Sequence, residues 1–304
     1  MQQLVKDLKR IKDLNIYENV SLQRLTTIKV GDFAKLFLMP QTLNSIEETI
    51  RFLHKRGIKY KIVGNGSNLI IKNSPKIVLS LSKLNLIKSH NKFIEIYSGA
   101  TIAGFINWCI KNSLGGMESL FGIPGSIGGA VSMNAGANGI AIGDFIEEIL
   151  IVNKEGSFWQ KVSKDTFSYR KANLPKKSLI CAIKIRINAK KGDKHCIHPQ
   201  PPQYSRQNIQ SFMKKRVATQ PLNKPSAGCI FKNPPKVPAW YLIAQCGLQG
   251  FFINDAQVSK KHANFIINNG RAKSSDILKL IDIIKEKVLK ETHITLKEEV
   301  VIWQ

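Results

Sequence analysis

Acidic residues and cysteines are both scarce in this chain of 304 residues. Against 46 Lys and Arg there are only 21 Asp and Glu, so the formal net charge is +25 at pH 7. The five cysteines are an odd number and contain no Cys-x-x-Cys pair, which argues against a disulfide framework. No apolar run could span a bilayer, because Lys, Asp or Gly interrupts each one. The charged N-terminus resembles an amphipathic helix rather than a secretory signal, so we expect a soluble, cytoplasmic protein.

The positive charge is compatible with nucleic acid, an anionic surface or small anionic ligands. It is equally compatible with a surface that is simply rich in lysine. The basic residues are scattered along the whole chain and do not form a stripe with interleaved aromatic residues. We therefore expect neither a nucleic-acid partner nor a membrane partner.

Helical and strand-like patterns alternate along the chain. Residues 44–57 predict a helix with a Ser45–Glu48 capping box and a stop at Gly57. Residues 101–113, 205–217 and 274–291 also predict helices, the last with one apolar stripe. Strands are expected at 21–40 with a turn at Gly31-Asp32, and in the tail at 294–303. The mixture predicts an α+β fold.

The charged, proline-rich segment 190–202 is the best domain boundary. It contains His195, Cys196 and His198, which suggest a metal site. Four ligands at usable spacing are not visible, so no metal is expected and a solvated linker is the preferred interpretation.

Two glycine-rich segments carry the first chemical signal. "VGNGSNLII" (63–71) places such a turn directly after a strand, where glycines let a phosphate approach the backbone. It is not a dinucleotide fingerprint, because no third glycine follows at the required spacing and the next residues are apolar and strand-like. The second segment, 122–139, is dense in Gly, Ala, Ser and Asn but also contains apolar residues to bury. Together they suit a long diphosphate-containing cofactor, and the alternative is a pair of tight turns.

Seven stretches in order then resemble one family, and they cover the chain from about Leu25 to near its C-terminus. They are "TTIKVGDFAKLFLMP", "VGNGSNLII", "SGATIAGFINWCIKNSLGGMESLFGIPGSIGGAVSMNAGA", "YRKANLP", "QPLNKPSAGCIFKNP", "VSKKHANFIINNG" and "ITLKEEV". The family is that of UDP-N-acetylenolpyruvoylglucosamine reductase, and the length is similar to its shorter subtype.

The resemblance implies a two-subdomain FAD-binding fold of the vanillyl-alcohol-oxidase type and a C-terminal α+β substrate-binding domain. The implied domains are 1–80, joined by the C-terminal strand at 293–304, then 81–200 and 201–292. The implied activity is reduction of an enolpyruvyl nucleotide sugar by a monomer, with non-covalent FAD and NADPH as co-substrate. The implied FAD-binding residues are Gly64, Asn65, Gly66, Ser67, Asn68, Gly122, Ile123, Pro124, Gly125, Ser126, Gly128, Gly129, Asn134, Ala135 and Gly136.

The resemblance also implies three catalytic residues. Arg170 matches the family arginine, whose guanidinium suits a carboxylate becoming an enolate, and Glu299 matches the glutamate of Leu-x-x-Glu-Val. Without the resemblance, each would be interpreted as a surface residue. Lys297 stands where relatives often carry an acid and is expected at the surface. The implied substrate contacts are Tyr169, Arg216, Lys232, His262 and Asn264, and the last two suit a capping role equally well.

Cys229, in "PSAGCIFKNPP", is the third catalytic candidate and stands where the family usually has serine. A disulfide or a metal ligand is not favoured there, which leaves a proton donor or a packed side chain.

Two other functions remain open on the sequence alone. The first is another FAD oxidoreductase with the same fold. Such enzymes often attach their flavin covalently through His or Cys, and the absence of histidine from both glycine-rich segments counts against this function. A basic nucleic-acid-binding protein would carry no chromophore.

Overall fold

A computed structural model describes residues 1–187 and 196–304. His195 of the candidate metal motif lies outside these residues. The helices of the described chain are α1 (Gln2–Leu8), α2 (Leu43–Lys55), α3 (Ile102–Lys111), α4 (Ile127–Ser132), α5 (Pro202–Thr219), α6 (Ala239–Gln245) and α7 (Ser274–Thr292). Among them, none is long and apolar enough to cross a membrane.

Short strands make up most of the remaining regular structure. In the first half of the chain they are β1 (Leu14–Ser21), β2 (Phe33–Pro40), β3 (Lys61–Val63), β4 (Leu69–Ile71), β5 (Ile77–Ser80), β6 (Ile87–Ser89), β7 (Phe93–Tyr97), β8 (Leu114–Gly115), β9 (Gly136–Ala137), β10 (Ile140–Ala141) and β11 (Ile146–Asn153). In the second half they are β12 (Gly156–Lys161), β13 (Phe167–Ser168), β14 (Lys171–Ala172), β15 (Leu179–Arg186), β16 (His198–Pro199), β17 (Ser226–Cys229), β18 (Phe252–Ile253), β19 (Ala256–Val258), β20 (Phe265–Asn268) and β21 (Val301–Trp303).

The chain divides into two compact units. Unit 1 comprises Met1–Glu18, Leu36–Asn65 and Lys76–Met213, and unit 2 comprises Asn19–Lys35, Gly66–Pro75 and Lys214–Gln304. One of the points at which the chain passes between the units therefore falls inside the first glycine-rich turn, between Asn65 and Gly66. The three-domain division expected from the sequence stays a prediction.

Unit 1 contains two hydrophobic cores. A sheet with the order β1-β2-β5-β3, in which β2, β5 and β3 pair in parallel, packs with α1 and α2. An antiparallel sheet with the order β12-β11-β15-β7-β6 packs with α3 and α4. Strand β11 contributes to both cores, because Leu150 and Val152 belong to the first and Ile149 and Ile151 to the second. This alternation is the period of two expected for a strand buried on both faces.

Unit 2 is built around a single core. Its antiparallel sheet has the order β17-β20-β19-β18. Helix α7 buries the stripe that the sequence predicts, which consists of Ile277, Leu280, Ile281, Ile284 and Val288. Strand β21 pairs in parallel with β4, so the C-terminal strand lies beside the strand that follows the first glycine-rich turn.

Helix α2 confirms the predicted helix and corrects its cap. Ser45 lies inside the helix, and the N-cap is Thr42, whose backbone is extended. Thr42 Oγ1 accepts a hydrogen bond from Ser45 N at 3.2 Å, and Ser45 Oγ accepts one from Thr42 N at 3.1 Å. The predicted Ser45–Glu48 box is wrong, because a threonine three residues earlier starts the helix sooner. Gly57 follows the helix with a φ of +61°, as a terminating glycine should.

Two predicted strands are shorter than expected. Residues 26–30 form a tight loop in which Thr26 Oγ1 bonds both Val30 O at 2.9 Å and Val30 N at 3.1 Å. That side chain competes with sheet pairing, so the strand begins only at Phe33. In the tail, regular pairing is limited to Val301–Trp303, preceded by a single bridge between Phe231 and Glu298.

Candidate functional site

The second glycine-rich segment starts α4 directly beside the start of α3. Thr101 caps α3 by accepting from Gly104 N at 3.0 Å, and Ser126 caps α4 by accepting from Gly129 N at 3.3 Å. The two caps pair with each other in an antiparallel bridge. Since Ile127 is buried in the second core of unit 1, the segment is folded and is not a linker.

Gly64 brings the first glycine-rich turn against this arrangement within unit 1. A Cβ placed on Gly64 would lie 2.6 Å from Ser126 Oγ and 3.9 Å from Gly129 Cα. Any side chain at position 64 would therefore displace the oxygen that caps α4. The two segments, about 60 residues apart in the sequence, form one backbone surface at this point.

The candidate FAD-binding residues differ in how much surface they present. Four are exposed: Gly64, Asn65, Pro124 and Gly129. The buried ones, which shape the backbone beneath, are Gly66, Ser126, Asn134 and Ala135. The remainder are partly buried: Ser67, Asn68, Gly122, Ile123, Gly125, Gly128 and Gly136.

These residues fit a cofactor that lies along the backbone. Gly64 and Gly129 present main chain without side chains, and Gly128 has no room for a Cβ, which would lie 2.7 Å from Ser98 Cβ. Glycine, which has no Cβ, lets a ligand approach the main chain closely. The surface around Gly64 and Gly129 is therefore suited to the diphosphate-containing cofactor that the sequence suggests.

The second half of the first glycine-rich turn belongs to unit 2. Gly66 has a φ of +60°, and a Cβ there would lie 1.9 Å from Leu25 O. Thr27 N donates to Gly66 O at 3.1 Å, and Thr27 Oγ1 donates to Ser226 O at 2.7 Å. Thr27 thus ties the turn to the strand that ends at Cys229. The sequence does not identify Thr27 as a residue of the site. The only sequence feature that could have indicated it is its position in the first of the seven family stretches.

Arg170 lies in the two-residue turn between β13 and β14 of unit 1. Its backbone has a φ of +56°, an uncommon conformation for a side chain of this size. The guanidinium Nη2 donates to Gly136 O at 2.9 Å and lies over the ring of Tyr169, with its carbon 5.4 Å from the centroid. Arg170 is therefore attached to the end of the second glycine-rich segment, and a strained backbone of this kind is typical of functional positions.

Asn134 connects the same turn to the glycine-rich segment from the other side. Its Nδ2 donates to Ser168 O at 3.1 Å, and its Oδ1 accepts from Gly143 N at 3.0 Å. Both ends of the amide are thus used inside the protein, which supports a positioning role for Asn134. Tyr169, by contrast, is exposed.

Cys229 and Glu299 lie on neighbouring segments of unit 2. Glu299 N donates to Ile230 O at 2.8 Å, and Lys232 N donates to Lys297 O at 2.8 Å. Asn68 joins them, since its Nδ2 donates to Glu299 O at 3.1 Å. The fold thus brings together two candidate catalytic residues and one candidate FAD-binding residue, whereas Arg170 lies in unit 1. Lys297 is exposed, as expected.

The adjacent glutamates differ in their surroundings. Glu298 Oε1 accepts a hydrogen bond from Lys285 Nζ of α7 at 2.6 Å. Burial raises the pKa of Glu298, but the bond to Lys285 and its charge outweigh burial and leave the pKa below its usual value. Glu298 is therefore an ionised structural residue, which agrees with the choice of Glu299 as the functional one.

Two of the candidate substrate contacts in unit 2, Arg216 and His262, are linked to Cys229. Arg216, in the last turn of α5, interacts electrostatically with Cys229. Burial lowers the pKa of Arg216, and Cys229 opposes that shift. Cys229 pairs in register with Phe265, whose ring centroid lies 4.8 Å from that of His262. Burial lowers the pKa of His262 as well, so its imidazole is neutral at pH 7.

Asn264 uses its whole side chain on the backbone of one residue. Its Oδ1 accepts from Phe231 N at 2.9 Å, and its Nδ2 donates to Phe231 O at 2.8 Å. Of the two roles that the sequence left open for Asn264, these contacts support the structural one. Lys232 is half-buried and follows this anchored residue directly.

The other cysteines with described surroundings are inert. Burial raises the pKa of Cys109 and of Cys181, and it raises that of Cys246 to about 11, with a further contribution from Glu291. They are packed thiols, whereas Cys196 and Cys229 are half-buried. Among the residues that the structure describes, no group of three or more His, Cys, Asp or Glu could hold a metal ion.

Comparisons with known proteins agree with this arrangement. Residues 34–160 match the family described as FAD binding domain, and residues 220–303 match the C-terminal domain of UDP-N-acetylenolpyruvoylglucosamine reductase. The reductase of that name from Aquifex aeolicus is 36% identical over 289 residues, with 93% of each chain covered. The one from Fervidobacterium nodosum is 34% identical over 296 residues, with 95% of this chain and 92% of the relative covered. The crystal structure of the Thermus caldophilus reductase superimposes with a TM-score of 0.79 at 27% identity, covering 96% of this chain and 100% of that one.

The fold and the glycine-lined surface therefore define an FAD-binding flavoprotein of the α+β class, with a separate C-terminal domain. The chain belongs to the UDP-N-acetylenolpyruvoylglucosamine reductase family. The resemblance inferred from the seven stretches of sequence is thus confirmed, as is FAD as the cofactor. The individual site residues stay predictions.

Gly129→Ala is expected to weaken FAD binding without harming the fold. A Cβ at this exposed helical position meets only Ser126 Oγ at 3.4 Å, and alanine is favoured over glycine inside a helix. The methyl group would stand on the proposed cofactor surface. We expect the Kd for FAD, measured by fluorescence titration of the apoprotein, to rise about tenfold, which corresponds to about 1.4 kcal/mol. The melting temperature of the apoprotein should not fall. Ser132→Ala, an exposed change in the same helix, is the control, and an unchanged Kd for Gly129→Ala would remove Gly129 from the cradle.

Proposed function

We propose that this protein reduces the enolpyruvyl group of UDP-N-acetylenolpyruvoylglucosamine to UDP-N-acetylmuramate, with NADPH as reductant, in peptidoglycan synthesis. One observation carries the proposal beyond family membership. Unit 2 places a half-buried thiol, Cys229, beside the backbone of Glu299 and within the field of Arg216. Reduction of an enol ether next to a carboxylate requires a proton donor and a stabilising positive charge, and these three residues carry a thiol, a carboxyl group and a cation.

FAD, when bound, accepts a hydride from NADPH and supplies it to the methylene carbon of the enolpyruvyl ether. The protein then has two tasks at the neighbouring carbon. Negative charge must be stabilised on that carbon and its carboxylate, and one proton must be delivered to the same carbon. The products are the lactyl ether and NADP⁺, so the electrons and the proton balance.

Cys229 is the proposed proton donor. Its thiol proton would pass to the carbon next to the carboxylate, and the resulting thiolate would recover a proton from solvent. The charge of Arg216 stabilises that thiolate. Glu299 is proposed to share in this proton transfer, and Arg170 to stabilise the enolate charge with its guanidinium.

Four further side chains are proposed to bind the nucleotide sugar. Arg216 and Lys232 provide positive charge for its carboxylate and diphosphate. Tyr169 and His262 each provide an aromatic ring that can pack against the nucleotide sugar and a polar atom that can form a hydrogen bond with it. For the FAD cradle, the proposal is that the fifteen residues from Gly64 to Gly136 named above line or shape the backbone surface.

The finer cellular picture is also a proposal. We infer a monomer that works in the cytoplasm, without nucleic acid as a partner. Support comes from the buried thiols Cys109, Cys181 and Cys246, which suit a reducing compartment, and from a nucleotide-sugar substrate. The scattered lysines are then solvating charges.

One assay tests the function and the mode of FAD binding together. The purified protein is expected to be yellow, and acid precipitation should release all flavin to the supernatant, because no covalent link is expected. NADPH oxidation should be rapid with the enolpyruvyl nucleotide sugar and slow without it. A colourless protein that takes up no FAD, or NADPH oxidation that does not respond to the nucleotide sugar, would contradict the proposed function.

A further inference from the structure

Besides Ser74 Oγ, three buried side-chain polar atoms in unit 2 have no hydrogen-bond partner among the described residues. They are Arg216 Nε, Gln220 Oε1 and His262 Nδ1. Each atom is shielded from solvent, although all three residues are only half-buried. A buried polar atom without a partner costs free energy, so it occurs rarely and indicates a missing partner.

Gln220 follows the last turn of α5 and lies one turn after Arg216. Its backbone N donates to Arg216 O at 2.8 Å, which continues the helical pattern. Lys261 Nζ donates to Val217 O in the same turn and so attaches the loop that carries His262. Arg216 interacts with Cys229, and Cys229 pairs with Phe265, which contacts the ring of His262. The residues that carry the three atoms therefore belong to one connected region of unit 2, which also includes Cys229.

The unpaired atoms of Arg216 and Gln220 need opposite kinds of hydrogen-bond partner. Arg216 Nε can only donate a hydrogen bond, and Gln220 Oε1 can only accept one. A single anion would satisfy the arginine but not the glutamine. The group that satisfies both has an oxyanion beside a hydroxyl or an amide N–H. Because the last torsion of a glutamine is soft, a small rotation would bring Oε1 to a ligand that lies next to it.

We propose that Gln220 determines substrate specificity by accepting a hydrogen bond from a hydroxyl or amide N–H of the nucleotide sugar, beside the oxyanion bound by Arg216. The inference rests on the proposed function and deepens it. The substrate has oxyanions in its carboxylate and diphosphate, and it has donors in its sugar hydroxyls and acetamido N–H. Gln220 acts on binding of the substrate, and the chemical step remains with Cys229.

The test replaces the acceptor with a side chain of similar length. Gln220→Met is expected to raise the KM for the nucleotide sugar about 10- to 100-fold, the usual effect of losing a buried hydrogen bond, and to change kcat less than about threefold. Gln220→Ala should raise KM similarly. Reduction by NADPH alone should be unchanged in both. Gln210→Met, at an exposed position of the same helix, is the matched control and should behave like the parent.

Substrate analogues identify the donor. With the correct hydroxyl replaced by hydrogen, or the acetamido nitrogen methylated, the parent and Gln220→Met should have similar KM values. A lower melting temperature with an unchanged KM in both Gln220 variants would mean that the atom bonds an internal water, which overturns the inference alone. If the parent does not turn over the nucleotide sugar, the proposed function fails first and the inference fails with it.

Discussion

Replacing Cys229 by alanine is expected to slow the half-reaction with the nucleotide sugar about 10²- to 10⁴-fold and to leave reduction by NADPH unchanged. The reason is that alanine removes the proton while the segment paired with Glu299 keeps its backbone bonds. Cys229→Ser should retain activity, because a hydroxyl also carries a proton to the same place. Stopped-flow measurement of the two half-reactions separates these outcomes. Cys196→Ala, another half-buried cysteine, is the control and should behave like the parent.

The pH profile gives an independent readout of the same role. Only the protonated thiol can donate, so turnover should fall as the pH rises through the pKa of Cys229, for which the reference value of cysteine is about 8.5. This alkaline fall should be absent in Cys229→Ser, because a serine hydroxyl stays protonated throughout that range. If Cys229→Ala turns over like the parent, the thiol is merely packed, and Glu299 becomes the next candidate for the donor.

Arg170→Ala and Glu299→Gln are each expected to slow the half-reaction with the nucleotide sugar by about 10²-fold or more. Both should still permit reduction by NADPH, because the proposed roles concern charge and protons on the substrate. The first change removes a guanidinium anchored on Gly136 O, and the second removes an ionisable proton while keeping the shape. Single-turnover kinetics with each half-reaction initiated separately is the measurement.

Neighbouring residues provide the controls for these two variants. Lys171→Ala changes an exposed residue in the same hairpin as Arg170 and should leave both half-reactions unchanged. Glu298→Gln removes the partner of Lys285, so it should lower the melting temperature slightly and spare the chemistry. If Glu298→Gln is the slower of the two glutamine variants, the assignment of Glu299 is wrong. A normal half-reaction in Arg170→Ala would remove Arg170 from the mechanism.

Local patterns predicted the longer helices α2, α3, α5 and α7 because their causes are local, whereas the short helices α4 and α6 were not predicted. The stripe of α7 repeats at helical spacing, and all five residues of that stripe are buried. The error at α2 is also local in origin, since Thr42 and Ser45 both suit a cap, and only the backbone angles show which residue takes the position. Residues 26–30 alternate in polarity like a strand. However, the Thr26 hydroxyl forms hydrogen bonds with the backbone of Val30, and these take the place of strand pairing.

The candidate site was predictable as a set of residues but not as an arrangement. The glycine-rich segments were visible in the sequence, yet the contact of Gly64 with Ser126 joins positions about 60 residues apart. In "LKEEV" the pattern Leu-x-x-Glu-Val selects Glu299, but the sequence does not show what Glu298 contacts. The structure supplies this contact, because Lys285 of another element forms an ion pair with Glu298.

The sequence by itself determined the class of the protein, its family and the residue types available for its chemistry. These depend on the order of short motifs and on hydrophobic periods, which are properties of the chain. Only the tertiary structure decided which thiols are half-buried, that Glu298 forms an ion pair with Lys285, and which buried polar atoms lack hydrogen-bond partners. Cys109, Cys181 and Cys246 differ from Cys229 by burial, and Gln220 differs from Gln210 by its shielded, unpaired oxygen. Burial and hydrogen-bond pairing arise from segments far apart in the chain, so they exist only once the chain has folded.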